Sequence, residues 1–465
     1  MFNNQIIAGS SGAAGGSFYP YSIDQSLRFD GSSAYLNFTP SNAATDSSKM
    51  TFSTWVKTWG FGESDAYILS AGASNVDGVG YTGADKFTFV RAGVTRVSGN
   101  GLRRDPSSWY HLYVTYEADG DQKVRIYVNG VLDNEAAQTT DLAKLGVNGQ
   151  LQRIVRKSNA NTYLNVYLAE THFVDGSIVP ISTFGKTVNG VWVPVETSGI
   201  TYGNNGWYLN YADSSDVGKD VSGRGNHWTA NNLAASDVVP DNPTNNWCTF
   251  NPLDQNDATG LTYPTTYSEG NLKLTQATGF INRKATFSLT SGKWYWEIKI
   301  NDSSPGSFFG VSKSTGDARG ALDNDEAMIR LTNGNLYTNA AETSYGTAFS
   351  NGDVCILAVD MDAGKFWAGR NGTWFASGDP AAGTNEGKSG LASELFPSVS
   401  LADGENCDVN FGQNGTFNGT KTAGGNSDGN GYGDFLYTVP SGFLALNSAN
   451  LPEPTISPNA TEQAD

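Results

Sequence analysis

Paired carboxylates, histidines near hydroxyls and glycine-rich loops are the features of this 465-residue chain that could carry chemistry. Splitting a glycosidic bond takes two carboxylates roughly 5–10 Å apart, one acting as acid and the other as base or nucleophile. The acidic clusters are Glu63-Ser-Asp65 and Asp323-Asn-Asp-Glu326. The first stops without a further Glu, and the second lies in an expected loop where like charges are solvated. The only Gly-x-Ser-x-Gly string, Gly425 to Gly429, has neither the strand before it nor the helix after it that a nucleophile elbow needs. Gly78 to Gly83 spells a dinucleotide fingerprint, but no helix follows to meet a phosphate. His111 and His172 fall in or near strands and His227 in a polar turn, so structural roles are expected of all three. Cys248, Cys355 and Cys407 have no zinc spacing, and Cys355 sits in an apolar run that makes its thiol a small hydrophobe. No catalytic residue emerges, and the expectation is a protein that is not an enzyme.

Binding offers more candidates. Asp77 and Asp85 flank a glycine loop, and Asp428-x-Asn430-x-Tyr432-x-Asp434 alternates oxygen donors, although no bidentate Glu closes it. Hard oxygen ligands of this kind suit calcium. Trp59, Phe61 and Tyr81 fall in turn-rich stretches. Exposed there, their rings would stack on sugars; turned inward, they would cap a core. Residues 1–180 carry 16 acids and 14 bases, and residues 250–420 carry 19 acids and 11 bases. The acidic second half would repel nucleic acid and anionic membranes. Arg91, Arg96, Arg103, Arg104, Arg153, Arg156 and Lys157 in the first half form either a solvated face or a docking patch for an acidic glycan.

These residues need a scaffold, and the composition says which. Aromatics make up 12% and charged residues only 16%, with 55 glycines to turn corners, which fits an all-β chain of many short strands. Met50, Phe52 and Val56 share one face of an alternating segment, as do Trp294, Trp296, Ile298 and Ile300. Asn129-Gly130 and Asn371-Gly372 each stand between strands and predict type I′ hairpins. The expected fold is two tandem antiparallel β-sandwiches, over 21–180 and 250–420. Residues 1–20 form an extended anchoring arm and 181–249 a connection that either completes the first sandwich or links the two. Residues 421–465 form a glycine-rich loop and C-terminal extension. The N-terminus has no basic start or apolar stretch of a signal peptide, and no run approaches a membrane-spanning length.

Leu27–Ser33, Phe52–Val56, Trp109–Tyr116, Ile126–Gly130 and Val166–Glu170 together resemble a laminin-G-like module of the concanavalin A superfamily. Gly292–Glu297, Phe309–Val311, Gly352–Leu357, Asp360–Trp374 and Phe396–Ser400 resemble a SPRY domain. The first resemblance implies that calcium can be bound. It also allows for a glucanase, but the Glu-x-Asp-x-x-Glu string of the sandwich glucanases is absent. The second implies a ligand surface built from loops, here Lys313–Asp325 and Thr338–Ser350, with Arg319, Asp323, Asp325 and Tyr345 as contacts. Trp294, Trp296, Trp367 and Trp374 are then core. The order of these modules, followed by Ala445-Leu-Asn-x-Ala-Asn-Leu-Pro-x-Pro454, is similar to virion proteins of tailed bacteriophages, fibre or structural. That resemblance implies a non-enzymatic virion protein held to other virion proteins by its N-terminal arm. It would attach to host-surface glycan, bind no nucleic acid, insert in no membrane, and be capable of forming a homo-oligomer. The rivals are a purely architectural capsid decoration protein and a polysaccharide depolymerase.

Overall fold

The computed structural model describes residues 18–254, 263–302, 306–315 and 322–451. Most of the expected arm at 1–20 therefore lies outside the described residues, as does the end of the extension beyond residue 451.

Two β-sandwiches stand in tandem. In the first, the long strands Lys49–Thr58, Tyr110–Glu117 and Val166–Asp175 form the middle of an eight-stranded antiparallel sheet. A seven-stranded sheet, with Ala66–Ala71 and Asp77–Tyr81 at its centre, faces it. Alternation sends Met50, Phe52, Val56, Leu112 and Val114 into the space between the sheets, where they meet Leu69, Val79, Phe87 and Phe89. The opposite parity, Ser53, Trp55, Lys57, His111 and Tyr113, points to the outer face, and none of the five belongs to that core.

The connection at 181–249 belongs largely to this first sandwich. Trp207–Leu209 pairs with Val166–Asp175, Thr229–Asn231 with Tyr35–Phe38, and Val238–Val239 with Ser26–Arg28. Trp207, Tyr211 and Trp228 complete the core. The segment also holds a two-stranded hairpin, Gly185–Val188 with Val191–Pro194, and its end, Trp247 and Cys248, packs in the second module.

In the second sandwich, Lys293–Asp302 pairs with Val354–Asp360 on one side and Asn406–Asn410 on the other, within an eight-stranded sheet. A six-stranded sheet built around Phe308–Ser312 and Phe396–Leu401 packs against it. Trp294, Trp296, Ile298, Ile300 and Cys355 enter the core as their parity requires. Trp367 is fully buried, and Trp374 is half-buried against the same neighbours. All three cysteines are free and buried, and burial pushes the Cys248 thiol up to about 12.

Residues 421–451 are more than a loop. Phe435, Val439, Phe443 and Ala445 lie with Trp247 over Tyr295, Ile356, Ala358 and Trp367 on the outer face of the larger sheet. Glu297, buried on that face, accepts hydrogen bonds from the backbone N–H groups of Leu436 and Tyr437, both at 2.9 Å. Burial lifts its carboxyl to about 6.

The two modules meet through buried polar contacts. Lys57, held within the first module by fully buried Asp241 at 2.8 Å, also donates to Asn246 Oδ1 at 2.8 Å and to the carbonyl of Trp247, which packs in the second module, at 3.2 Å. Tyr167 donates to the carbonyl of Gly270 at 2.8 Å, and Arg28 to Asn418 at 3.0 Å. Breaking the buried Lys57–Asp241 pair from one side costs about 3–5 kcal/mol.

Candidate functional site

Two segments of opposite origin build a cleft on the outer face of the first module. One is the hairpin Gly185–Pro194, turned at Asn189-Gly190 with φ of 49° and 81°. The other is the loop at 105–109. Asp105 shapes that loop by accepting from the N–H of Ser107 at 2.9 Å and from the hydroxyls of Ser107 and Ser108 at 2.6 Å each. Between them lies a cleft of about 430 Å³ whose walls include Trp55, Trp109, Tyr110 and Trp192. Ser107, Ser108, Asn129, Thr187 and Asn246 add polar edges.

The indoles are held by their own N–H groups. Trp192 Nε1 donates to His111 Nδ1 at 3.0 Å. An indole nitrogen only donates, so Nδ1 accepts; the ring proton is then on Nε2, which donates to Ser53 Oγ at 2.9 Å. Burial drives the His111 pKa down to about 3, which keeps the ring neutral. Trp109 Nε1 donates to Asp241 Oδ1 at 3.0 Å, and the other oxygen of Asp241 holds Lys57. With their N–H groups satisfied, Trp109 and Trp192 are each half-buried and line the cleft, Trp192 being stacked on His111 with ring centres 5.8 Å apart. The hairpin turn takes part: a Cβ on Gly130, whose φ is 80°, would lie 2.3 Å from Trp192 Cε3. Gly130 thus serves the type I′ turn and also makes room for the ring.

Asp105 is the one charged side chain on the wall. Ser53 and His111 form a hydroxyl–imidazole pair, but both are buried, and the second imidazole nitrogen accepts from an indole where a triad would have it donate to a carboxylate. Stacking and hydrogen bonding are what this arrangement can do.

The residues singled out in the sequence lie elsewhere. Trp59 is 3% exposed and packs on Tyr167 and Val239; Tyr81 is 5% exposed and packs on Phe87 at 4.7 Å. Both cap the interior and cannot stack on sugars. Tyr81 shares the inward parity of Val79, and Trp59 continues the outer-face parity of Trp55 and Lys57 to where the second module packs. Phe61 is half-buried in the adjoining turn.

The calcium candidates do not converge on one another. Asp77 accepts from the N–H groups of Ala92, Ala143 and Lys144. Asp85 accepts from Gly62 and pairs with Arg104 at 2.5 Å. Asp428 accepts from the N–H groups of Asn430, Tyr432 and Ala445, and Asp434 from that of Gly425. These carboxylates tie loops together. Among the described residues no group of three or more His, Cys, Asp or Glu side chains is placed to hold a metal.

In the second module Lys313 is clamped between Asp323 at 2.9 Å and Asp325 at 2.7 Å. Arg319 lies outside the described residues. Tyr345 is apart from this cluster, packed edge-on to Phe375 at 5.8 Å. Glu326, expected to be solvated with its acidic neighbours, is instead buried and accepts from the N–H groups of Lys313 and Asp323, both at 2.6 Å. Three of the basic residues of the first half have partners within the module. Arg103 pairs with Asp133 at 3.1 Å, Arg91 donates to the Asp141 carbonyl, and Arg156 lies 4.6 Å from the Tyr35 ring centre.

Trp109, Tyr110 and Trp192 are not singled out as cleft residues in the sequence reading, although two signals are present. Asn189-Gly190 between Thr-Val and Val-Trp is a third hairpin string, and Trp109 follows the loop-setting Asp105-Pro-Ser-Ser.

Residues 30–180 match the model of the concanavalin A-like lectin/glucanases superfamily of the Laminin_G_3 type, and residues 293–414 match the SPRY domain. An E3 ubiquitin-protein ligase RKP of Arabidopsis thaliana is 28% identical over 141 residues, 29% of this chain. The chain spans about a tenth of the length of that relative, 10%. The solved SPRY domain of human HERC1 is 26% identical, covering 30% of this chain and 87% of its own, with a TM-score of 0.26. A Bacteroides ovatus protein, provisionally described as carbohydrate-binding, is 16% identical over 45% of this chain and 59% of its own, with a TM-score of 0.35. The chain thus carries a concanavalin A-like module of laminin-G type followed by a SPRY domain, both of them binding-type folds.

Proposed function

We propose that this chain is a non-enzymatic binding protein that takes a saccharide in the aromatic cleft of its first module. One observation carries the reading: the indoles of Trp109 and Trp192 are fixed by hydrogen bonds and line a cleft edged with hydroxyls and amides. A rigid ring face presented to the C–H side of a sugar binds without loss of rotamer freedom. The protein would act on the virion of a tailed phage, tethered to other virion proteins by residues 1–20, with host-surface glycan as its partner. The support for that setting is the order of parts in the sequence, and the relatives named above do not bear on it. Weak single sites suffice there, since linked copies raise avidity by roughly 10²–10⁴.

A glycan array probed with the full chain and with Trp109→Ala tests the reading. Saccharide binding that falls at least about tenfold in the variant is expected, the loss of one good stacking contact. A chain that binds no glycan leaves the purely architectural role, and new reducing ends after incubation with host polysaccharide would make it a depolymerase. Immunogold labelling of virions tests the setting, and particles free of label would refute it.

A further inference from the structure

A second and larger cavity, of about 720 Å³, lies at the junction of the modules. The first module contributes residues 19–24 and 235–245 to its walls, and the second contributes Gly412–Thr416 and Gly431–Asp434. The Tyr167 contact with Gly270 and the Lys57 contact with the Trp247 carbonyl, both buried, tie the two modules together.

Its position matters as much as its size. Tyr19 stands in the wall of both this cavity and the aromatic cleft. Chain neighbours divide between the two: Thr244, Asn245 and Ala449 face the junction, while Pro243, Asn246 and Ser448 face the cleft. Segments 243–246 and 448–449 thus contribute to both hollows.

The charge is one-sided. Asp24 and Asp434 line the junction and Asp105 the cleft, and among the described residues neither wall includes a Lys, Arg or His. A polyanion would meet repulsion along the whole path, whereas a neutral or amine-bearing chain would not.

We infer that the cleft and the junction cavity are two parts of one extended site, which takes a neutral or amine-bearing oligosaccharide passing over Tyr19. The inference rests on the saccharide reading above and adds the length and charge of the ligand.

Calorimetry with the full chain tests it, using cello-, malto- and chito-oligosaccharides from disaccharide to octasaccharide, deacetylated chito-oligosaccharides and oligogalacturonates. The longer members of the bound series should bind about tenfold or more tighter than the disaccharide, and oligogalacturonates should not bind. Ser236 lines the junction and is half-exposed. Ser236→Trp should remove the gain with length and leave the disaccharide Kd unchanged. Asp24→Lys, at an exposed position, should abolish the preference for deacetylated over acetylated chains. A Kd that stays flat with length, or a length gain that survives Ser236→Trp, overturns the inference while the cleft reading stands. Absence of binding by every series defeats the saccharide reading and this inference together.

Discussion

Each module covers the outer face of its larger sheet with a later segment of chain, and the two covers differ in chemistry. Both rest an aromatic ring on the glycine of an Asn-Gly hairpin. Trp192 lies 2.3 Å from where a Cβ of Gly130 would be, and Tyr437 lies 2.6 Å from that of Gly372. Beneath the second cover the face is apolar apart from Glu297: Tyr295, Ile356, Ala358 and Trp367 pack with Phe435, Val439 and Phe443. Beneath the first cover the face carries Ser53, His111, Glu170 and His172. Polar groups there bond singly to the cover, and a cleft remains. An apolar face draws its cover down over the whole area, because the gain scales with area. A polar face is satisfied by point contacts, which can leave ligand-sized space between them.

Trp367→Ala and Trp192→Ala probe this difference most strongly. Trp367 is fully buried, so its truncation should cost about 3–5 kcal/mol by urea denaturation and leave any saccharide Kd unchanged. Trp192→Ala should cost about 1 kcal/mol, the loss of one hydrogen bond and a half-exposed contact, yet remove saccharide binding. Equal stability losses in the two variants would erase the contrast.

A pH titration sharpens it next. Burial first of all raises Glu170 from the ordinary 4.5 to about 7; the hydrogen bond from Tyr208 lowers it and nearby Asp24 raises it. The folded state therefore keeps a proton that the unfolded chain releases between pH 4.5 and 7. Its stabilising effect is complete below 4.5 and is lost as pH rises through about 7, amounting to roughly 3 kcal/mol. His111 and His172 are pushed down to about 3 and titrate in the opposite sense below pH 6.5. They are common to both proteins, so the stability of Glu170→Gln minus that of the parent should climb between pH 4.5 and 7. A flat difference would show that Glu170 is not held protonated.

A smaller effect than at Trp367 or Glu170 is expected at the hairpin glycines. Gly130→Ala and Gly372→Ala each place a side chain at positive φ, 80° and 81°, for about 1–2 kcal/mol. Only Gly130→Ala should also displace a cleft ring and weaken saccharide binding, and equal binding in both would put Trp192 outside the site.

The sequence by itself determined the alternating strands, the inward parity of residues such as Phe52 and Trp296, and the two Asn-Gly turns, where φ of 49° and 80°, and of 52° and 81°, fit type I′ geometry. These are local properties: a period of two and a tolerance of positive φ are fixed by neighbours along the chain. Tertiary structure alone decided the site. Trp109 owes its place to Asp241, 132 residues away, and Trp192 owes its place to His111, 81 residues away. Whether an aromatic residue in a turn faces water or the core depends on which distant segment packs over it, and that is why Trp59 and Tyr81 went inward while Trp109 and Trp192 line the cleft.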